Sequence, residues 1–194
     1  MNIIFYFDYI CPFCYVGTKR MLKIADEFKL SIDWRGIEIH PEFSPEGKIR
    51  KKSPRTEHLA ETLKEITDID NLDVKLPGFV TNTRLCLEAS EYSKTKGKFT
   101  EFHTTAFDYF FNRKENIAKI ETLLSIGKIA GLDEVELEEN LKKRLMKNKI
   151  DNNQKLADQN NVIGVPTIYF NEFRLHGVQS PDVYRNIIKK HILN

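Results

Sequence analysis

The sequence predicts an α/β protein whose small sheet is interrupted by a long, all-helical block. Three observations carry this. The chain opens strand, helix, strand, over Ile3 to Ile39. From about Thr81 to Asn160 the apolar spacing is helical throughout. From Gly164 onward two short strands and a last helix follow.

The run Ile3 to Phe7 is too short for a helix and is aromatic and β-branched, so it reads as a buried strand that Asp8 ends. The amphipathic segment from Val16 to about Leu30 keeps Met21, Leu22, Ile24, Ala25 and Phe28 on one side and Lys19, Arg20, Lys23, Asp26 and Glu27 on the other. Ser31 to Ile39 alternates well enough for a second strand, and a βαβ unit implies that it runs parallel to the first. His40 to Gly47 is turn and loop, and the basic run Lys48 to Lys52 reads as a solvated loop. Ser53 as N-cap and Pro54 at the first helical position start a helix to about Thr67. Leu72 to Phe79 is irregular, broken at Pro77-Gly78.

Four longer helices are then expected: Asn82 to Lys96, Phe99 to about Asn112, one after Asn116 that stops at Gly131, and one opened by Asp133 that runs to about Lys147. A shorter one precedes Asn160. Gly164 to Phe170 is a strand entered through a proline, Asn171-Glu172 a turn, and Phe173 to His176 its hairpin partner. Ser180-Pro181-Asp182 starts the last helix, which runs to about Ile192.

The chemistry lies in Cys11-Pro-Phe-Cys14, between the first strand and the first helix. A first helical turn carries unpartnered backbone N–H groups and the positive end of the dipole, and both favour a thiolate. Pro12 suits the first helical position, where a missing N–H is no loss. Cys14 is nearly one turn on and comes round to the same face. Cys11 is thus the expected attacking sulfur and Cys14 the more buried, resolving one. A zinc site needs four ligands, and neither a second C-x-x-C nor a closely spaced histidine pair is present, so no metal is expected. Cys86, between Leu85 and Leu87, reads as a small buried hydrophobe.

The chain has 194 residues, 41% hydrophobic and 30% charged, with a net charge of +2. That is enough for a stable core, and the charge argues against nucleic acid as the main partner. No apolar run is long enough to span a bilayer, and the first residues enter a strand without a basic leader. A cytoplasmic protein with no membrane partner is expected. In that reducing compartment a C-x-x-C is more often catalytic than structural.

Cys11-Pro-Phe-Cys14, Gly164-Val-Pro-Thr167 and the order β-α-β, β-hairpin, helix resemble the DsbA family, a thioredoxin fold with a helical domain inserted before the proline loop. Within it, Phe7 to Gly17, Asn82-Thr83 and Gly164 to Asn171 before Gly177-Val-Gln are most similar to the FrnE-like branch, related to the 2-hydroxychromene-2-carboxylate isomerases. The resemblance implies a discontinuous thioredoxin-like domain, 1–45 with 162–194, and an inserted helical domain, 46–161. It implies a cis Val165–Pro166 bond beside the sulfurs, with Pro12, Phe13, Val165 and Pro166 shaping the site.

Three positions depart from the family. Phe13 stands where strongly oxidising DsbA proteins carry histidine, which argues against an extreme potential. Phe5 stands six before Cys11, where an acid is frequent; Asp8 lies closer, either as a proton acceptor or as a strand-end turn residue. Cys11 stands where the isomerases carry serine, which favours thiol chemistry.

The function so implied is a thiol–disulfide oxidoreductase that acts on disulfide- or thiol-containing proteins or small molecules. It needs no bound cofactor, takes glutathione as a redox co-substrate, and is a monomer or homodimer. The alternative is a glutathione-dependent isomerase or transferase of an aromatic small molecule. Asn82 would then contact the ligand, and Phe110, with Tyr109, Phe111 and Phe79, would line its pocket; in the other reading Asn82 merely caps its helix and the aromatics are core.

Overall fold

The N-terminal run forms β1 (Ile3–Phe7) in the computed structural model of the protein, which describes residues 3–193. Ile3, Phe5 and Phe7 enter the main core, while Ile4 and Tyr6 meet a smaller cluster with Ile37 and Ala157. Both faces are covered, which explains an apolar run in place of an alternating one. Next comes α1 (Pro12–Phe28), which starts four residues before the amphipathic spacing does because Cys11 caps it. Gly17 lets this helix lie close on the sheet: a Cβ there would sit 3.0 Å from the Phe5 ring. The chain returns as β2 (Asp33–Gly36), parallel to β1, with Phe5 opposite Trp34.

A short ribbon and a helix follow. β3 (Lys48–Ile49) pairs antiparallel with β4 (Phe79–Val80), and α2 (Pro54–Asp68) lies between them in sequence. Two residues per strand carry no periodicity, so the sequence read this ribbon as loop. The start of α2 is as expected, with Ser53 and Thr56 in a reciprocal cap.

Five helices come next: α3 (Arg84–Thr95), α4 (Phe99–Phe111), α5 (Ile120–Ala130), α6 (Glu134–Lys142) and α7 (Lys147–Gln159). The helix expected from Asp133 to Lys147 ends early. Arg144 takes a left-handed backbone, φ 53°, and the Leu145 N–H turns back to the Asn140 carbonyl. The guanidinium of Arg144 reaches buried Glu88 at 2.7 Å from this break, and a full helix then forms where only a short one was expected.

β5 (Thr167–Phe170) and β6 (Phe173–His176) form the hairpin through a left-handed Asn171, and α8 (Pro181–His191) closes the chain. The sheet order is β2-β1-β5-β6, with β5 antiparallel to β1.

Arg20 corrects the expected polar face of α1. It is only 3% exposed. Its guanidinium holds the Asp70 carboxylate at 2.8 Å and donates to the carbonyls of Ile66 and Gln179, each at 2.7 Å. It buries because α2 and the approach to α8 close over it and supply acceptors in place of water. Among the described residues no helix is long and apolar enough to cross a membrane.

Candidate active site

The end of β1 places the first sulfur. The Asp8 carbonyl accepts the Cys11 N–H at 3.1 Å, which turns the chain out of the sheet. Cys11 is extended, φ −87° and ψ 112°, and its Sγ accepts the Cys14 N–H at 3.3 Å. The thiol is therefore the N-cap of α1, a place usually taken by Ser, Thr, Asp or Asn. The same Sγ–H donates to the Val165 carbonyl at 3.4 Å, across 154 positions of sequence. The Val165–Pro166 bond is cis. The C-x-x-C and the proline loop thus meet at one atom.

Cys11 is 6% exposed and opens on a cleft of about 620 Å³, whereas Cys14 is 0% exposed and lies behind it. Both are free thiols in this structure. Burial pushes the Cys14 thiol well up, and the neighbouring Cys11 sulfur adds to that.

Asp8 does more than end the strand. It is fully buried, and its carboxylate accepts the N–H groups of Ile39 at 2.8 Å and Ile10 at 3.4 Å. Burial raises its pKa to about 6, against the pull of Ile39, Thr83 and Ile10. Behind the helix, His103 bridges the Tyr9 hydroxyl (3.0 Å) and the Thr18 hydroxyl (3.1 Å), ringed by Phe7, Trp34, Phe99 and Phe107. Burial holds this imidazole well below its usual pKa, so it is neutral. Thr18 follows Cys14 by one turn, and the bridge ties the reactive helix to α4.

Pro12 and Phe13 line the cleft beside Cys11, with Ile10, Ile39 and Phe43 continuing an apolar floor. Two residues singled out in the sequence lie elsewhere. Asn82 is used locally: its amide donates to Glu38 at 2.8 Å and its oxygen accepts the Arg84 N–H at 2.9 Å. Phe110 does not line the cleft; it is fully buried, edge-on to Phe79 and Phe111. Phe111 is equally core, and the Tyr109 ring carries Arg113 at 4.4 Å. An aromatic run on one helix was filled by its own neighbours. Cys86 is fully buried, and burial pushes its thiol well up.

The far wall of the cleft was not foreseen. It is built by Arg50, just after β3, and by Arg55, His58, Leu59 and Thr62 of α2. The signal was present: with Pro54 starting the helix, positions 55, 58, 59 and 62 share one face. Among the described residues, no group of three or more His, Cys, Asp or Glu side chains is gathered to hold a metal.

A model of the DSBA-like thioredoxin domain matches residues 2–189. The chain belongs to that family. This DsbA-like protein is 22% identical to the 2-hydroxychromene-2-carboxylate isomerase of Pseudomonas putida over 178 residues, 89% of this chain and 86% of the relative. Its structure superposes on a probable DsbA oxidoreductase from Streptomyces coelicolor with a TM-score of 0.87 at 17% identity, over 98% of this chain and 89% of that one. It also superposes on the cytosolic disulfide reductase DsbM from Pseudomonas aeruginosa, solved with GSH, with a TM-score of 0.74 at 14% identity over the full length of both. These structural likenesses show the DsbA-like fold, a thioredoxin sheet with a helix-rich segment between β2 and β5. The family holds both oxidoreductases and an isomerase.

Proposed function

We propose that this DsbA-like protein is a thiol–disulfide oxidoreductase that works in the cytoplasm on disulfide- or thiol-containing proteins or small molecules. The Cys11 sulfur carries the reading: it caps a helix, faces a cleft and has Cys14 directly behind it. As thiolate, Cys11 attacks a substrate disulfide and forms a mixed disulfide; Cys14 attacks Cys11 and releases the substrate as thiol. In reverse, the Cys11–Cys14 disulfide accepts electrons from a substrate dithiol. The residues 1–45 and 162–194 carry both sulfurs and the proline loop, and 46–161 supplies the cleft's far wall. The pair needs no metal or organic cofactor, and glutathione serves as redox co-substrate; the GSH in the DsbM structure supports this.

The test is a glutathione redox titration, quenched by alkylation and mapped by mass. A reversible Cys11–Cys14 disulfide is expected, with exchange lost in Cys11→Ser and mixed disulfides accumulating in Cys14→Ala. Full activity in Cys11→Ser would overturn the proposal. Saturable glutathione binding without any disulfide exchange would favour the isomerase chemistry of the Pseudomonas putida relative.

A further inference from the structure

The part of the cleft lining that Arg50 and Arg55 supply is cationic and lacks a counter-charge among the described residues. Arg50 is half-buried, and its Nε donates to the Pro77 carbonyl at 3.1 Å. Among the described residues no acceptor takes its two terminal NH₂ groups, and burial acts on its charge without any carboxylate to offset it. Arg55 and His58 likewise have no ion pair among the described residues, and no aspartate or glutamate lines the cleft. His40, at the rim, is held by Glu42 at 2.8 Å.

A guanidinium drawn partly out of water without a partner is costly, and its fork of donors matches a carboxylate. The same cleft is lined by apolar Ile10, Pro12, Phe13, Ile39 and Phe43. The volume of about 620 Å³ suits a small molecule. Cation, hydrocarbon and sulfur border one space.

We infer that Cys11 exchanges with small organic disulfides that carry a carboxylate on an apolar frame. Arg50 and Arg55 hold the carboxylate, and the frame lies on Ile10, Phe13 and Phe43. The inference rests on the oxidoreductase reading above. In the forward turnover the Cys11 thiolate attacks one substrate sulfur, the substrate S–S bond breaks, and the far half leaves as a thiolate. The Cys14 thiolate then attacks Cys11 and expels the other half. The protein pair loses two electrons to the substrate disulfide, and the two cysteine protons end on the two product thiols.

The test is single-turnover kinetics of the fully reduced chain with four probes. Three have short aliphatic arms: 3,3′-dithiodipropionate (anionic), bis(2-hydroxyethyl) disulfide (neutral) and cystamine (cationic). The fourth, 4,4′-dithiodibenzoate, sets its carboxylates on an apolar frame. Each rate is divided by that of a free cysteine peptide under the same conditions. An anion-to-cation preference of about tenfold is expected at low salt, narrowing as salt rises, with the dibenzoate fastest. Arg50→Gln and Arg55→Gln each reduce that preference several-fold. Arg55 is exposed, so its variant decides the matter if Arg50→Gln does not fold. A preference equal to the free peptide's, or one that survives both substitutions, overturns the inference and leaves the oxidoreductase reading standing. A chain with its thiols counted as reduced that reacts with none of the probes overturns the inference, and the oxidoreductase reading falls with it only if the glutathione titration also yields no Cys11–Cys14 disulfide.

Discussion

Asp8 sits where ionisation is costly. Its pKa of about 6 in the fold, caused by burial, exceeds the 3.8 of an unperturbed aspartate. Well below pH ~4 the carboxyl is protonated in both folded and unfolded chains and contributes nothing. Between ~4 and ~6 the unfolded chain releases a proton that the fold retains, so stability falls as pH rises; above that the loss is complete, at about 3 kcal/mol. His103 acts the other way: buried neutral, it loses stability as pH falls below ~6.5. Comparison with Asp8→Asn cancels the histidine's slope. The stability of wild type minus that of the variant, from urea unfolding at pH 4 and pH 7.5, should drop by about 2 kcal/mol, the rest of the loss having already occurred by pH 4. Parallel curves would mean that the carboxyl is not burdened by its surroundings. The sequence offered Asp8 as a strand-end residue or a proton acceptor but did not show its burial, because its partners Ile39 and Thr83 are far along the chain.

Among the helices, α2 is the one held least by apolar packing, with Leu63 its single buried apolar side chain. Only Leu63 and Thr67 of it are buried, both in its second half, and its N-terminal half stands over the cleft. Arg20 secures it through Ile66 and Asp70. Arg20→Met would leave a carboxylate and two carbonyls without a donor, a loss of about 3 kcal/mol or somewhat less because Asp70 is a quarter exposed. Faster hydrogen exchange across 54–68, before any change in the sheet, is the expected signature; uniform exchange would refute the tether.

Elements were legible wherever their signals were local. Ser53-Pro54, Asp133 and Ser180-Pro181 each mark a helix start, and each is one. So was the C-x-x-C, whose two sulfurs belong to one turn. Arg20 was not legible, since its partners lie 46 to 159 positions away. Nor was the break at Arg144, which an ion pair to Glu88 on another helix accompanies. Phe110 left two readings open, because an aromatic run looks the same whether it lines a pocket or fills a core.

At the scale of the molecule, sheet and inserted helices share one core. Phe5, Phe7 and Trp34 of the sheet belong to the same cluster as Leu87, Phe102 and Phe107. Where the sheet meets the helices, Gly36 faces Leu87, and an added Cβ would lie 2.5 Å from a buried methyl. Unfolding followed by Trp34 fluorescence, in the sheet, and by far-UV circular dichroism, mostly from the helices, should therefore coincide. Gly36→Ala should shift both together, by about 1–3 kcal/mol. Separate transitions would show that the helices stand alone.

The N-cap ties this global stability to electron transfer. In the dithiol one sulfur atom both completes a helix and carries the reactive electrons. Bonded to Cys14, it becomes a poorer acceptor, and a lost cap costs ~1 kcal/mol. Closing the cycle between two redox states and two folding states, that cost favours the dithiol by about 20 mV. A docking partner that unwinds the first turn of α1 removes the preference, and so turns the same protein into a better electron donor at the moment of contact.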